Sequence, residues 1–432
     1  MNTTMQIRPI LAALRRHKMA TLLIVLQIAL TLAVVSNALF IVKTRVVHLS
    51  RPTGMDEAHL FAIRNGWIGQ PDVPHIHAQM RADLATLRNL PGVRAAFASQ
   101  AYPFGGWGGL ARIKHRVDQT ATPQRATTYF ADEHALDTFG TNLVAGRNFR
   151  ADEIGSFGPY DAPKPAVLII TQHLAHKLFP DGMAVGQHVY LSDDGPSTII
   201  GVVDRLEGSY VGSTTRSIDE DTVLVPARYA DFDGVVYLVR AQPGQLAALL
   251  RSSPAALFAQ NRMRLISPED GVITLVRART EGYATDRGVA IMMGVVCVLL
   301  LLATAGGIVG LSSFWVGQRR RSIGVRRALG ATRGDILRYF QAENALIVGV
   351  GVVLGVALGI AANLSLMTHY ELPRMPLWVL AVGALLLWLL GQLAVLGPAR
   401  RAAAVPPVEA TRSYEPLSGK ARSKSWRAVP AL

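Results

Sequence analysis

Four uncharged apolar segments are the feature of this sequence that most limits its possible folds. They are Met19–Val42, Val289–Trp315, Asn344–Met367 and Leu377–Leu396. At about 1.5 Å of helical rise per residue, each can cross a hydrocarbon core of about 30 Å. Because lipid offers no hydrogen-bond partner to the backbone, single segments of this length cross as helices. The sequence therefore predicts an α-helical membrane protein with four transmembrane helices.

Basic residues are concentrated in three segments that flank the apolar ones. Residues 1–18, 316–343 and 397–432 together carry 18 Lys and Arg against 4 Asp and Glu, a net of +14 that equals the charge of the whole chain. Because Lys and Arg mark the cytoplasmic side, we predict a cytoplasmic N-terminus, connecting loop and tail. Residues 43–288 and the short 368–376 loop then lie outside. Topology and contact with anionic membrane lipid explain the basic charge, so no nucleic-acid partner is needed.

The first apolar segment is predicted to be an uncleaved anchor. Ser36-Asn37-Ala38 has the small-x-small pattern of a signal-peptide cleavage site, but the apolar run continues to Val42 and is too long for a signal peptide. The single cysteine, Cys297, lies in the second apolar segment. No intrachain disulfide can form, so the outer domain must be held together by packing.

Residues 43–288 alternate short strand and helix patterns, which predicts a large α+β extracytoplasmic domain of two lobes. The predicted strands are Leu60–Arg64, Ala166–Ile170, Gln187–Tyr190, Thr198–Val203, Thr222–Val225 and Val235–Val239. The predicted helices are Ile76–Leu90 and Thr171–Phe179, with Thr171 as N-cap. Val272–Arg287 is predicted to be a helical stalk that continues into the second apolar segment without a break.

The sequence contains little catalytic chemistry. It has no Gly-x4-Gly-Lys-Ser/Thr phosphate loop, so we expect a chain that is not an enzyme and binds no cofactor itself. His75 and His77 are spaced to share a metal, but no Glu or Cys cluster completes the set, which favours surface histidines. The four apolar segments contain no Asp, Glu, Lys, Arg or His. Ion-coupled carriers need ionisable groups at membrane depth, so a secondary transporter is disfavoured.

Glycines recur at every fourth residue in two of the apolar segments. Gly306 and Gly310 form one such set, and Gly351, Gly355 and Gly359 form the other. This spacing allows helix backbones to approach closely. It favours helix packing within the subunit, and a seam between two subunits is the alternative.

The 316–343 segment is basic and amphipathic. As one helix it would place Ile323, Ala328, Leu329, Ile336 and Phe340 near one apolar side, with arginines on the rest. Such a helix often lies on anionic lipid headgroups.

A second interpretation of the same segment comes from resemblance. Arg321-Ser-Ile-Gly-Val-Arg-Arg-Ala-Leu-Gly-Ala-Thr332, followed by Ile336-Leu-x3-Gln-x-Glu343, resembles the signature of FtsX/MacB-type ABC transporter permeases. The tail segments Pro398–Ala402 and Pro407–Ala410 are similar to the closing segment of that family. In the outer domain, Leu143–Phe149, Leu174–Pro180, Val185-Gly186 and Ile200–Asp204 look like the MacB-type extracytoplasmic core domain. One departure is Ser322, where the family commonly has an acidic residue.

The resemblance implies the permease subunit of a MacB-like ABC transporter in a bacterial inner membrane. Coupling to a cytoplasmic ABC ATPase dimer, which uses the ATP, would fall on nine residues: Ile323, Gly324, Val325, Arg326, Arg327, Ala328, Leu329, Gly330 and Ala331. Only 18 residues precede the first apolar segment, so the ATPase is expected on a separate chain. A second permease copy or homologue, a periplasmic adaptor and an outer-membrane duct are also implied, for efflux or export.

Two functions of other classes remain open at this point. One is a membrane-anchored sensor whose outer domain reads an extracytoplasmic ligand; four spans without a cytoplasmic output domain disfavour it. The other is a membrane enzyme that faces the periplasm, which the missing catalytic residues disfavour.

Overall fold

A computed structural model of the chain describes residues 18–404, except for 70, 117, 120–121, 162–163, 181, 192–194, 212–217 and 371–373. The chain divides into two compact units. We call the described residues 18–44 and 290–404 the membrane unit, and Arg45–Val289 the outer unit. Each unit is described by itself.

The described residues form ten α-helices, one short 3-10 helix at Ala151–Glu153 and thirteen strands. The helices are α1 (Lys18–Ser50), α2 (Val73–Arg88), α3 (Ala135–Phe139), α4 (Gln172–Leu178), α5 (Leu246–Gln260), α6 (Leu275–Gly282), α7 (Ala284–Gln318), α8 (Arg320–Ala328), α9 (Arg333–Tyr370) and α10 (Leu377–Ala403). The strands are β1 (Leu60–Trp67), β2 (Val93–Ser99), β3 (Gly109–Ile113), β4 (Gln124–Ala131), β5 (Leu143–Gly146), β6 (Gly155–Phe157), β7 (Val167–Thr171), β8 (His188–Val189), β9 (Ser197–Val203), β10 (Thr222–Tyr229), β11 (Val235–Ala241), β12 (Arg264–Leu265) and β13 (Val272–Thr274).

Among the described residues, α1, α7, α9 and α10 are the four helices long and apolar enough to cross a membrane. This confirms the predicted four transmembrane helices. Each of the four extends beyond its apolar segment, because flanking polar residues continue the helical backbone. In α10 the helix runs through Pro398 to Ala403, where a tail was expected from residue 397, and Ala399 and Ala402 are buried.

Helix α1 is the centre of the membrane unit, and polar side chains connect it to its neighbours. The Gln27 amide donates to the Ala303 carbonyl of α7 at 3.1 Å, and the Thr31 hydroxyl lies 2.8 Å from that of Thr304. On another face, the buried Asn37 amide donates to a backbone carbonyl of α9 at 3.2 Å. Such interhelical hydrogen bonds satisfy polar groups that lipid cannot, so they fix the positions of α7 and α9 around α1.

The outer unit contains two sheets, which match the two predicted lobes. The first has the order β12-β1-β11-β2, with β13 also paired to β1, and all its pairs are antiparallel. The second is mixed, with the order β3-β4-β10-β7-β9-β5, β6 on β10 and β8 on β9. A shared core of Leu60, Leu238, Tyr129 and Leu224 joins both sheets. Helices α2 and α5 cover the first sheet and α4 covers the second, which gives an α+β fold.

A buried ion pair fixes the first sheet to its covering helices. The Arg264 guanidinium donates to both carboxylate oxygens of Asp83, at 3.0 and 2.9 Å, and the Tyr237 hydroxyl donates to the same carboxylate at 2.6 Å. All three side chains are almost fully buried. The bidentate geometry satisfies both charges, so this network holds β12 against α2.

The predicted stalk over Val272–Arg287 is wrong in two respects. Its first three residues form β13, because the β-branched run favours a strand that pairs with β1. The helix that follows is also interrupted, since Tyr283 separates α6 from α7. The Tyr283 side chain is buried and its ring lies 5.3 Å from that of His48, edge to face. This packing fixes the turn between the two helices.

Candidate functional site

The basic segment between α7 and α9 forms a helix, α8, that is anchored on one side. Ile323 points inward and is only 6% exposed. It shares a hydrophobic cluster with Trp315 at the end of α7 and with Ile336 and Phe340 of α9. Ala402 of α10 belongs to the same cluster. The contacts hold α8 to the ends of three long helices, so it is part of the packed membrane unit.

An ion pair closes the base of this segment. The Arg319 guanidinium donates to both carboxylate oxygens of Glu343, at 3.0 and 2.8 Å, and the Glu343 side chain is 3% exposed. The same guanidinium lies 5.9 Å from the ring centroid of Trp315. Both bonds come from one guanidinium nitrogen, Nη1, which the two carboxylate oxygens share. A charge-assisted bond to a buried carboxylate is strong, so the pair ties the residue that precedes α8 to the N-terminal part of α9, across the whole connector.

The turn between α8 and α9 is tightly closed by the backbone. Gly330 has φ +98°, a left-handed conformation that favours glycine. Its N–H donates to the Arg327 carbonyl at 3.1 Å, and the Ala331 N–H donates to the Arg326 carbonyl at 3.1 Å. This pair of bonds is the Schellman motif. Thr332 then caps α9, since its hydroxyl accepts from the Asp335 N–H at 3.2 Å.

The outer side of the turn presents apolar residues to solvent. Leu329 is 82% exposed and Val325 is 47% exposed, and Ala328 is exposed beside them. We call Val325–Gly330 the exposed tip. Arg326 in this tip is positioned by α9, with its guanidinium 5.0 Å from the ring centroid of Tyr339. The tip therefore combines apolar and cationic side chains on a backbone that cannot easily change shape.

The single apolar side predicted for this segment is wrong. Ile323, Ile336 and Phe340 are buried, whereas Ala328 and Leu329 are exposed. The reason is the turn at Gly330, which breaks the segment into two helices with separate directions. Of the other residues expected to couple to an ATPase, Gly324 is buried, Arg327 is partly buried and Ala331 lies in the turn.

The glycines of α9 lie against other helices of the membrane unit. A β-carbon added at Gly351 would lie 2.8 Å from the Ile28 side chain, and one at Gly355 would lie 2.9 Å from the Ala29 carbonyl oxygen. At Gly359 the nearest atom would be in Leu380, at 3.0 Å. These glycines allow α9 to approach α1 and α10.

The glycines of α7 have open surroundings. No described atom lies within 4 Å of a β-carbon added at Gly306 or Gly310. Packing inside the subunit therefore explains the small residues of α9. Among the described residues, the two glycines of α7 have no such packing partner.

The structure corrects the surface assignment of one histidine. His75 is exposed, but His77 is only 7% exposed, because it lies on the inner face of α2. Burial lowers the pKa of the His77 imidazole below its ordinary value. No group of three or more His, Cys, Asp or Glu residues able to hold a metal ion occurs in the described part of the chain.

Sequence reasoning missed the Arg319–Glu343 pair. Both residues were recognised as charges of the connector, but not as partners. A signal was available, because Glu343 is one of only two acids in the 316–343 segment, which also holds seven arginines. An acidic side chain at the edge of an apolar span is destabilising unless a cation pairs with it.

Four membrane-crossing helices, an α+β outer unit and a rigid basic connector define a multi-pass membrane protein with a large extracellular domain. The sequence matches two family models: the MacB-like periplasmic core domain over residues 21–255, and the FtsX-like permease C-terminal region over residues 294–407. The chain belongs to the MacB/FtsX-like family of ABC transporter permeases.

Curated relatives agree with this assignment. The chain is 27% identical over 336 residues to the macrolide export ATP-binding/permease protein MacB of Chromobacterium violaceum, covering 74% of this chain and 48% of that protein. It is 23% identical over 347 residues to the ABC transporter permease YknZ of Bacillus subtilis, covering 77% of this chain and 78% of YknZ. The chain thus spans about half the length of the MacB proteins that it matches.

Two solved structures are also similar. The extracellular domain of YknZ from Gram-positive bacteria shares 14% identity with a TM-score of 0.31, covering 49% of this chain and 97% of that domain. The periplasmic region of MacB from Actinobacillus actinomycetemcomitans shares 12% identity with a TM-score of 0.33, covering 53% of this chain and 94% of that region.

Proposed function

We propose that this chain is the permease subunit of a MacB-like ABC transporter and works with a separate ATPase subunit. The exposed tip Val325–Gly330 is the surface on which the ATPase docks. Closure of the ATPase dimer on ATP moves the tip, and the motion passes through α7 and α9 to the outer side of the membrane. The observation that carries this proposal is Leu329, an apolar side chain 82% exposed on a closed, anchored turn.

The anchoring of α8 favours a docking role over simple membrane adsorption. A helix that lies on headgroups is held by its apolar face in lipid, but here the inward apolar residue, Ile323, is buried in protein. The apolar side chains that are not buried, Val325 and Leu329, both lie in the exposed tip. A force applied there reaches α9 through the Arg319–Glu343 pair as well as through the hydrophobic cluster. Rigid fixation of this kind is what a transmission element needs.

The wider assembly follows from the same proposal. Both termini and the exposed tip are cytoplasmic, and the outer unit is periplasmic, in a bacterial inner membrane. Two permease copies, or this chain and a homologue, pair through α7, where Gly306 and Gly310 leave room for a close helix contact. The relative named for macrolide export suggests efflux or export as the transport direction. A periplasmic adaptor and an outer-membrane duct would complete the path.

The decisive experiment compares a charge introduced at the exposed tip with the removal of two positive charges outside it. Leu329→Asp places one carboxylate at the tip, whereas Arg320→Gln with Arg321→Gln removes two cations and leaves the tip intact. Docking predicts that Leu329→Asp lowers ATP hydrolysis by the purified permease–ATPase complex at least about tenfold, because an unpaired charge in a closed interface costs more than about 1.4 kcal/mol. The double arginine variant should retain most of the activity.

A matched control uses a leucine elsewhere. Leu265 is 66% exposed in the outer unit, so Leu265→Asp adds the same charge away from the tip and should leave hydrolysis unchanged. All variants are first checked for insertion and for unaltered melting. The docking assignment is wrong if Leu329→Asp keeps full hydrolysis, or if the double arginine variant loses more activity than the single leucine variant.

A further inference from the structure

A buried group of charged side chains joins the end of α1 to the core of the outer unit. Glu207 and Asp219 are both 0% exposed, and they face His48 at the end of α1 and Arg51, which directly follows α1. Glu220, next to Asp219, is partly exposed and faces the same arginine. We call these five residues the acid cluster.

One arginine serves all three carboxylates of the acid cluster. The Arg51 guanidinium lies 2.7 Å from Glu207 Oε1, 3.5 Å from Asp219 Oδ2 and 2.8 Å from Glu220 Oε1. His48 Nε2 lies 3.1 Å from Asp219 Oδ2. Three carboxylates against one guanidinium leave a charge of −2, and two of the three carboxylates, those of Glu207 and Asp219, are fully buried.

Several polar atoms of the cluster have no hydrogen bond. Among the described residues, neither Glu207 Oε2 nor either carboxylate oxygen of Asp219 has a hydrogen-bond partner, although Asp219 faces His48 and Arg51. Buried carboxylates with unused lone pairs are costly while they are ionised. Protons would remove this cost.

We propose that the acid cluster is a proton-operated latch that fastens residues 45–51 to the core of the outer unit. Uptake of one proton by Glu207 lowers the charge of the three carboxylates and Arg51 from −2 to −1 and removes the repulsion between Glu207 and Asp219. The latched state is then favoured, because less uncompensated charge is buried. Loss of this proton restores the repulsion, and residues 45–51 separate more readily from the core.

The surroundings of Glu207 act in the direction that the latch requires. Burial raises the pKa of Glu207 above its ordinary range; Arg51 opposes this rise, and Asp219 adds to it. A raised pKa in the latched state means that this state binds the proton more tightly than the released one. Latching is therefore complete below the ordinary pKa of a glutamate, and it weakens as pH rises through the raised value.

The remaining polar and charged neighbours do not replace the missing protons. The Tyr283 hydroxyl donates to Glu207 Oε1 at 3.2 Å, and the Tyr129 hydroxyl donates to the Glu207 carbonyl at 3.1 Å. From α6, Arg279 donates to the Leu49 and Arg51 carbonyls at 2.9 and 2.7 Å, while its charge is paired with Glu57. Each of these bonds holds α1 at every pH, so the pH response comes from the cluster itself.

The test is hydrogen exchange of the full chain in lipid nanodiscs across pH 5 to 8. Exchange rates of the 45–51 backbone amides are divided by the intrinsic rate at each pH, which leaves the opening equilibrium. Each proton taken up on latching changes that equilibrium by up to about tenfold per pH unit. We expect protection of 45–51 to fall as pH rises. Glu207→Gln, which imitates the protonated carboxyl, should keep high protection at pH 8 and flatten the profile.

A matched control makes the result decisive. Glu281→Gln makes the same chemical change at an exposed ion pair of α6 and should keep the wild-type profile. The latch is refuted if Glu207→Gln retains the wild-type slope, or if it lowers protection equally at every pH, as loss of a purely structural hydrogen bond would.

Discussion

Helices α1 and α9 approach each other closely at Gly355, which makes this glycine a sensitive point of the membrane unit. A β-carbon there would lie 2.8 Å from Leu32 Cβ, 2.9 Å from the Ala29 carbonyl oxygen and 3.1 Å from Ala29 Cα. The last two atoms belong to the backbone and cannot rotate away. Gly355→Ala therefore forces the two helices apart, whereas Gly310→Ala in α7 meets no described atom within 4 Å.

The size of the effect follows from comparing the two variants. Both gain the same helix propensity, about 1 kcal/mol on exchanging Gly for Ala. Only Gly355→Ala also overpacks the core, which destabilises a well-packed protein by about 1–3 kcal/mol. Separation of the helices also loosens Ile28 and Leu32, which are almost fully buried. Gly355→Ala should thus be about 1–3 kcal/mol less stable than Gly310→Ala.

The assay is reversible unfolding of the purified chain in mixed micelles, titrated with SDS and followed by circular dichroism. The free energy of unfolding is compared between the variants at one micelle composition and at a protein concentration where the chain is monomeric. The glycine argument fails if the two variants unfold with equal free energies, or if Gly310→Ala is the less stable. If α7 is also the subunit seam, Gly310→Ala should change the oligomeric state and not the stability of the monomer.

Three further predictions concern the outer unit and the topology. Asp83→Ala leaves a buried guanidinium without its carboxylate and should lower stability by about 3–5 kcal/mol. Glu281→Ala, at an exposed ion pair, should lower it by less than about 1 kcal/mol. Equal shifts in melting temperature for the two variants would contradict this prediction. Guanidinium hydrogen bonds lower the pKa of Glu153 to about 2, so its contribution is present above an ordinary pKa of about 4.3 and is lost as pH falls towards 2. In melting curves between pH 5 and 2, Glu153→Gln should lose less stability than the wild type, and an unchanged profile would refute this. A reporter active only outside the cytoplasm should work when fused at Asp161 and fail at Gly330; activity at Gly330 would overturn the orientation.

The parts of the fold that the sequence revealed are those with a local signal. An apolar segment long enough to cross a membrane signals a helix by itself, because lipid leaves the backbone no alternative. The outer unit was also readable in pieces: the strand predicted at Leu60–Arg64 runs from Leu60 to Trp67, and the helix predicted at Ile76–Leu90 runs from Val73 to Arg88. Only the ends differ, since tertiary pairing decides where a strand or helix stops.

The rest depends on contacts between distant residues. The exposure of Leu329 could not be read from its apolar neighbours, because a left-handed Gly330 turns the chain there. The acid cluster joins His48 to Glu207 and Asp219, which come much later in the chain and share no motif with it. His77 is buried on α2, and its imidazole is hydrogen-bonded to the backbone of Phe157, which lies far along the chain. No window of the sequence contains these partners.

The position of Cys297 determines how folding of the outer unit depends on redox conditions. It is the only cysteine and lies in α7, so the outer unit contains none. The outer unit therefore needs no oxidising catalyst to fold, and reductants or anaerobic growth leave its covalent structure unchanged. No mispaired disulfide can trap it after unfolding. Its two sheets are held by packing and by buried ion pairs, so the latch proposed above would make this domain respond to acidity and not to redox potential.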